Sequence, residues 1–191
     1  MKTALLLIDI QEDYFSGGRM EVEGSAEAAV CSRRLLEKFR TEKLPVIHIQ
    51  HVSTRPNATF FIQGSSGIDF HESVKPVVGE SVFVKHYPNS FRSTGLFDML
   101  ERNGIKNLVI AGMMTHMCID ATVRAAFDLH FECTVISDAC ATRALSFAGV
   151  EVEAKQVQAS FLSALGAVYA KVMDAEEFIN GVDLIEGKAD K

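Results

Sequence analysis

The chain has 191 residues, of which 48% are hydrophobic and 23% charged, and its net charge is −6. This length and composition predict one globular domain spanning residues 1–191 with a sizeable core. The acidic balance argues against nucleic acid or an anionic membrane as a partner, because no surplus of basic residues exists to neutralise phosphates. No apolar stretch is long enough for a signal peptide or a membrane span. Four cysteines without a C-x-x-C pair predict a reducing, cytoplasmic location.

Apolar runs and helical periodicities alternate along the first half of the chain. They predict three strands and two helices: strands at 3–10, 45–50 and 81–85, a helix from 26 to about 41, and a helix that is capped by Ser93 or Thr94 and runs to about 103. Residues 52–79 are predicted as a long polar loop. A loop of this size in a single domain is typically functional, and both a lid over a site and a subunit contact stay open for it.

The second half continues the alternation. It predicts strands at 108–111, 132–137 and 167–173, a helix that begins at Met117, a long helix at 150–165 and a frayed tail at 187–191. Strands that alternate with helices favour right-handed crossovers and a parallel sheet. The sequence therefore predicts a doubly wound, Rossmann-like α/β fold, with a six-stranded, mainly parallel sheet and helices on both faces.

Three chemically reactive residues lie at or just after the ends of predicted strands, namely Asp9, Lys85 and Cys118. In doubly wound sheets, ligands bind at the carboxyl ends of the strands. A charged residue there can simply mark where a strand reaches water, and a free cysteine is more often a core residue. The three together are complementary, since they bring an acid, a base and a thiol to one edge of the sheet.

Cys118 lies in the first turn of a helix that follows a buried strand. The unpaired N–H groups and the dipole of such a turn favour a thiolate and can hold an oxyanion. A nearby Lys85 would lower the pKa of the thiol, and Asp9 would accept its proton and later protonate a leaving amine. This arrangement predicts nucleophilic catalysis through a thioester, with water completing the reaction.

Three segments and a late helix around Gln158 to Leu165 resemble the isochorismatase-like cysteine hydrolases, and the segments are ALLLIDIQEDYF, VFVKHYPNSFRST and LVIAGMMTHMCIDATVRAAFDLHFECTVISDACAT. The resemblance covers roughly residues 3–178 and includes a doubly wound α/β fold. It implies that Asp9, Lys85 and Cys118 form the catalytic triad of the family. It also implies a small-molecule substrate, no cofactor, and assembly into a homodimer or homotetramer.

The same resemblance implies several further features of the site. The Met113–Met114 bond matches a cis peptide of the family, and the N–H groups of Met114 and Cys118 match its oxyanion hole. Tyr14 and Phe15 match an aromatic wall of the substrate pocket.

Two sequence features bear on which bond is cleaved, namely the presence of Cys118 and the residues at the position of the metal site of nicotinamidases. True isochorismatases cleave a vinyl ether and characteristically lack the cysteine, so the resemblance with Cys118 present favours an amide-type C–N bond, as in nicotinamidases. Nicotinamidases carry an Asp-x-His metal site after the second strand, whereas this chain has Gln50-His51-Val52. His48 and His51 should also point to opposite faces of their strand. We therefore predict no metal.

Two further residues near this edge are candidates for contact with the substrate. Phe91 is either a pocket wall or a loop anchor. His116 is a candidate, although the turn should aim its side chain away from the sulfur. We therefore predict Asp9, rather than His116, as the base.

Alternative functions are hydrolysis of an ester, a ureido or carbamoyl group or an isochorismatase-type ether, and a binding protein that has kept the fold without the reaction.

Overall fold

The structure, a computed structural model that describes residues 2–181, is built around one six-stranded sheet. The strands in chain order are β1 (Lys2–Ile8), β2 (Val46–His51), β3 (Ser81–Lys85), β4 (Ile105–Met113), β5 (Glu132–Ala141), β6 (Leu145–Phe147), β7 (Val150–Val152) and β8 (Lys171–Met173). The helices are α1 (Ser25–Thr41), α2 (Leu96–Arg102), α3 (Asp120–Asp128), α4 (Ala154–Val168) and α5 (Ala175–Gly181).

The sheet has the order β3-β2-β1-β4-β5-β8, and each neighbouring pair is parallel. This confirms the predicted doubly wound α/β fold. The chain moves outward from β1 in one direction and from β4 in the other, so the strand order reverses between these two strands. Such a reversal leaves a crevice at the carboxyl ends of the strands, where ligands bind.

Strand β1 lies at the centre because it is apolar on both faces. Leu5 and Leu7 pack into a cluster with α1, whereas Leu6 and Ile8 pack into a second cluster with α2 and α3 on the other face. Both clusters are formed from buried aliphatic and aromatic side chains. The double cover explains why the strand is a continuous apolar run rather than an alternating one.

Gly112 brings β1 and β4 together at their carboxyl ends. Its φ of +131° is in the region that favours glycine, and a Cβ at this position would overlap the backbone of Ile8. The close approach places the residues that follow the two strands next to each other.

The long helix predicted at 150–165 begins later than expected. Val150–Val152 is strand β7, which pairs antiparallel with β6 in a separate hairpin. Helix α4 then begins at Ala154, because the side chains of Glu153 and Gln156 cap each other's backbone N–H groups in a capping box.

The last elements also differ from prediction. Strand β8 is confined to Lys171–Met173, since residues 167–168 still belong to α4, and α5 was not predicted. The predicted frayed tail at 187–191 lies outside the described residues. Among residues 2–181, no helix has both the length and the apolar character that crossing a membrane requires.

Candidate active site

The structure brings Asp9, Lys85 and Cys118 together at the carboxyl edge of the sheet. Asp9 follows β1 in a left-handed conformation with φ of +53°, and its N–H donates to Ile49 O at 3.0 Å. Lys85 ends β3, and Cys118 lies in a π-helical turn, Thr115–Ile119, between β4 and α3. Lys85 Nζ is 2.7 Å from Asp9 Oδ2 and 3.2 Å from Cys118 Sγ. All three side chains are buried.

The charges of these three residues follow from burial and from one another. Burial raises the pKa of Asp9, but the Lys85 ammonium, His51 and Cys118 together outweigh burial, so the pKa lies below its usual value and the carboxylate form of Asp9 is favoured. Burial lowers the pKa of Lys85, but Asp9 and Cys118 together outweigh burial, so the pKa lies above its usual value and the ammonium form of Lys85 is favoured. They form a buried ion pair.

The thiol of Cys118 lies among groups that shift its pKa in opposite directions. Burial and the Asp9 carboxylate raise its pKa above the ordinary value, and the Lys85 ammonium opposes this shift without overcoming it. Desolvation and the Asp9 carboxylate thus favour the neutral thiol of Cys118, whereas the Lys85 ammonium favours the thiolate that the sequence predicts.

His51 is a site residue that sequence reasoning considered only as a metal ligand. It pairs with Lys85 across β2 and β3, and Lys85 Nζ lies 3.0 Å from His51 Nδ1. An ammonium can only donate, so Nδ1 accepts and Nε2 carries the proton. Gln11 holds the backbone of His51, accepting from its N–H at 2.7 Å and donating to its carbonyl at 3.0 Å. The sequence feature that could have identified His51 as a site residue is its position directly after the predicted strand at 45–50.

A metal ion does not fit this cluster. Asp9, His51 and Cys118 offer atoms that all lie within 4.8 Å of one another. However, Lys85 Nζ contacts each of the three at 2.7–3.2 Å, so a positive charge already lies among them. His48 points to the opposite side, as predicted, and its Nε2 lies 2.8 Å from Glu80 Oε2.

A cavity of about 160 Å³ lies over Cys118. Its lining includes three residues predicted for the site, Tyr14, Met114 and Cys118, together with residues from the long loop after β2. The full lining is Tyr14, His51, Ser53, Arg55, Asn57, Ala58, Thr59, Phe60, Phe61, Pro88, Met114, Met117 and Cys118. Part of the 52–79 loop is therefore a wall of the cavity.

The other three residues predicted for the pocket do not line this cavity. Phe15 is buried and stacks on His71, with ring centroids 3.8 Å apart, because it points away from its neighbour Tyr14. Phe91 stacks on Phe131 at 5.8 Å, so it anchors its loop on the α2–α3 face.

His116 is the third of these residues, and it turns away from the sulfur. Its Nδ1 forms a hydrogen bond with Thr142 Oγ1, and its ring lies edge-on to Phe161.

The turn that carries Cys118 is fixed by its backbone. The Met113–Met114 peptide is cis. The N–H groups of Met117 and Ile119 both donate to Met114 O, at 3.0 and 3.3 Å. These bonds place the backbone of Met114 and Cys118 on either side of one short turn, next to the cavity.

The comparisons with known proteins agree with this fold. A family model described as the isochorismatase domain matches residues 3–177. The chain belongs to the isochorismatase family of hydrolases.

Two relatives are similar over nearly their full length. The uncharacterized isochorismatase family protein YddQ of Bacillus subtilis is 46% identical, covering 94% of this chain and 99% of YddQ. A crystal structure from Oleispira antarctica, which carries the provisional name isochorismatase hydrolase, is 51% identical with a TM-score of 0.91, covering 94% of this chain and 97% of that one. The ureidoacrylate amidohydrolase RutB of Serratia proteamaculans is 25% identical and covers 94% of this chain and 82% of RutB.

Proposed function

We propose that this hydrolase cleaves an amide-type C–N bond of a small molecule through a thioester on Cys118. The observation that carries the proposal is the position of Lys85 Nζ, which contacts both Asp9 Oδ2 and Cys118 Sγ in a buried cluster below a cavity. A relative named as an amidohydrolase supports the bond class.

The first half-reaction uses Asp9 as a general base. As Cys118 Sγ attacks the substrate carbonyl, its proton passes to the Asp9 carboxylate and a C–S bond forms. The N–H groups of Met114 and Cys118 stabilise the oxyanion of the tetrahedral intermediate. The protonated Asp9 then gives its proton to the leaving nitrogen, the C–N bond breaks, and an amine departs from the thioester.

The second half-reaction restores the enzyme with water. Asp9, again a carboxylate, takes a proton from the water as its oxygen attacks the thioester carbonyl. The C–S bond breaks, a carboxylic acid is released, and the proton held by Asp9 returns to Cys118. Lys85 keeps its charge throughout and holds Asp9 beside the sulfur, while His51 and Tyr87 O accept its other hydrogen bonds at 3.0 and 3.1 Å.

Replacement of Cys118 tests this mechanism directly. With a matched panel of small amides, esters and ureido compounds, we expect Cys118→Ala to lower kcat/KM by at least about 10³-fold, as removal of a nucleophile does. We expect Asp9→Asn to lower it to a similar extent. Cys31→Ala is the control, because Cys31 lies on the opposite side of the sheet and forms its hydrogen bond with Asp138.

Two measurements distinguish loss of the nucleophile from loss of the fold. Unfolding temperatures show whether each variant is folded, and mass spectrometry of rapidly quenched enzyme shows the acyl group on Cys118. A folded Cys118→Ala protein that still hydrolyses the substrate of the parent enzyme would falsify the mechanism. The compound class with the highest kcat/KM identifies the bond, and a preference for ureido compounds or esters would replace the amide assignment.

We also propose a cytoplasmic location and assembly into a homodimer or homotetramer. Exposed Val82 and Val84 on the edge strand β3 support assembly, and sedimentation velocity tests it.

A further inference from the structure

The ammonium of Lys85 donates its hydrogen bonds to groups other than its charge partner. His51 Nδ1, Tyr87 O and Cys118 Sγ lie in hydrogen-bond geometry at 3.0, 3.1 and 3.2 Å from Nζ. These three acceptors match the three N–H bonds of an ammonium. Asp9 Oδ2 is nearer, at 2.7 Å, but neither oxygen of Asp9 has a partner in hydrogen-bond geometry among residues 2–181. Asp9 is therefore paired with Lys85 by charge, and both of its oxygens are free to accept a proton.

The carbonyl of Tyr87 keeps the Asp9 carboxylate in this state. A hydrogen bond to a carboxylate favours its charged form and makes it a weaker base. An N–H bond released from Tyr87 O would turn to Asp9, because Asp9 is the nearest acceptor and carries a negative charge. The strength of the base thus depends on where the carbonyl of Tyr87 is held.

The loop that carries this carbonyl is anchored on α3 by Thr122. Thr122 Oγ1 accepts from Ser90 N at 3.0 Å and from Ser90 Oγ at 2.9 Å, and donates to Pro88 O at 3.4 Å. In this assignment the hydroxyl uses its one proton and both of its lone pairs. Ser90 and Thr122 are fully buried, so these bonds are made within the protein.

Pro88 transmits the anchoring to its neighbour Tyr87. The ring of a proline fixes φ, so that ψ of Pro88 is the one rotatable angle between the carbonyls of the two residues. Holding Pro88 O therefore also holds Tyr87 O against Lys85. Thr122 follows Cys118 by four residues, so one continuous helical segment carries the sulfur and sets this acceptor.

We propose that Thr122 is a positioning residue of the active site, which holds Tyr87 O as an acceptor for Lys85 and so keeps Asp9 free to act as the base. No bond to the substrate is involved, and the effect reaches the reaction through Lys85 and Asp9. The inference deepens the proposed function and rests on it for the role of Asp9 as the base.

Replacement of Thr122 by valine tests the proposal without a substrate. The variant keeps the branched shape and leaves Ser90 N and Pro88 O without their partner, so the loop moves and the third N–H of Lys85 turns to Asp9. The Asp9 carboxylate raises the pKa of Cys118, and a hydrogen-bonded carboxylate does so less. We expect the pH dependence of iodoacetamide alkylation at Cys118 to shift downward by about half a pH unit to one, as one hydrogen bond provides.

Two variants on the same helix are the controls. Thr122→Ser keeps the hydroxyl and should keep the profile of the parent. Val123→Ala removes buried methyl groups from the next residue, which packs in the cluster with α2, and should lower stability without moving the profile. The titratable groups around Cys118 stay in place in every variant, and they are Tyr14, Asp9, His51 and Lys85 from the segments at the ends of β1, β2 and β3.

A third variant and a second readout complete the test. Pro88→Ala frees φ of a half-buried loop residue and should shift the profile in the same direction by a smaller amount, which covers loss of folding in Thr122→Val. The ultraviolet absorbance of the thiolate, taken as the difference from the matching Cys118→Ser protein, covers slow alkylation of the buried thiol.

Four outcomes overturn the proposal: an unchanged or upward-shifted profile in folded Thr122→Val, the parent's profile in Pro88→Ala when Thr122→Val is unfolded, an equal shift in Val123→Ala, and a shift that Thr122→Ser shares. A downward shift that Thr122→Val and Pro88→Ala share supports it. The same shift in a protein that hydrolyses no compound of the substrate panel would keep the positioning role of Thr122 and overturn the proposed function.

Discussion

At the carboxyl edge of the sheet, His51 fixes the position of the Lys85 ammonium. Because Nδ1 accepts from Lys85, replacement of His51 by alanine should let the ammonium move away from Cys118 and Asp9. The pKa of Cys118 would then rise further, since Lys85 is the group that lowers it. We expect the pH dependence of iodoacetamide alkylation at Cys118 to shift upward by about one pH unit, the size of the effect of one nearby charge.

Two conservative variants distinguish this positioning role from a packing role. In His51→Asn, the amide oxygen can occupy the place of Nδ1 and still accept from Lys85, so the alkylation profile should stay close to that of the parent. In His51→Gln, the side-chain amide extends towards the place of Nε2, so the profile should resemble that of His51→Ala. If all three variants share the parent's profile, His51 does not position Lys85.

For individual residues, the sequence is sufficient to place side chains at the ends of strands, but it does not determine where the side chains of loop residues point. Asp9 and Lys85 were identified because each ends an apolar run, and Cys118 because it lies in the helical turn after one, and the carboxyl ends of parallel strands meet. Phe15 and Phe91 could not be placed in the same way, because the direction of a loop side chain depends on packing partners that are distant in the sequence.

At the scale of elements, Asp13 joins the segment after β1 to the loop that walls the cavity. It lies in a short 3-10 helix, Glu12–Tyr14, and its buried carboxylate accepts from the N–H groups of Phe61 and, at 3.2 Å, Arg19. Gly67 packs against the same carboxylate so closely that a Cβ there would overlap it. The wall of the cavity thus depends on one buried acceptor.

Removal of this acceptor should loosen the wall. We expect Asp13→Ala to lower the free energy of unfolding by about 1–3 kcal/mol, the cost of leaving buried donors unpaired. We also expect faster proteolysis within residues 53–67. Glu12→Gln is the control, because Glu12 is on the same turn and is only half-buried. Equal proteolysis of Asp13→Ala and the parent would show that the loop does not depend on Asp13.

Element boundaries were less predictable than element types. Val150 and Val152 fit a helical pattern as well as a strand, and only the reciprocal capping by Glu153 and Gln156 sets the start of α4. The segment 167–173 is divided between α4 and β8 for a similar reason, since its apolar residues serve both elements. Strands buried on both faces were easier to recognise, because a short and continuous apolar run is typical of such strands in parallel sheets.

For the whole molecule, the alternation of strands and helices was sufficient to predict the fold class. The order of the strands was not predicted, because a parallel crossover can place the next strand on either side of the sheet. The structure places β3 at one edge, and the segment before β3 is tied to α1 by a partly buried cluster. Glu80 forms two bonds to Arg40, at 2.7 and 2.9 Å, and one with His48 at 2.8 Å.

This cluster should make the stability of the whole domain depend on acid pH. Burial raises the pKa of Glu80, but the Arg40 guanidinium, the N–H of Val77 and His48 lower it further, to about 2 from an ordinary 4.5. A carboxylate with a lowered pKa stabilises the folded state above its unfolded pKa and loses this effect as the pH falls towards its folded pKa. The contribution of Glu80 should therefore be complete above pH 4.5 and disappear near pH 2.

The matched variant is Glu80→Gln, measured by chemical denaturation from pH 7 to pH 2. At neutral pH we expect it to be less stable than the parent by about 1–2 kcal/mol, which is less than the shift in the pKa of Glu80 corresponds to, because solvent screens the partly exposed Arg40. The difference should shrink below pH 4.5, because the parent loses its carboxylate there. Glu72→Gln removes an exposed ion pair with Lys75 and should leave stability nearly unchanged at every pH. A constant difference between Glu80→Gln and the parent across this range would mean that Glu80 acts through packing rather than through its charge.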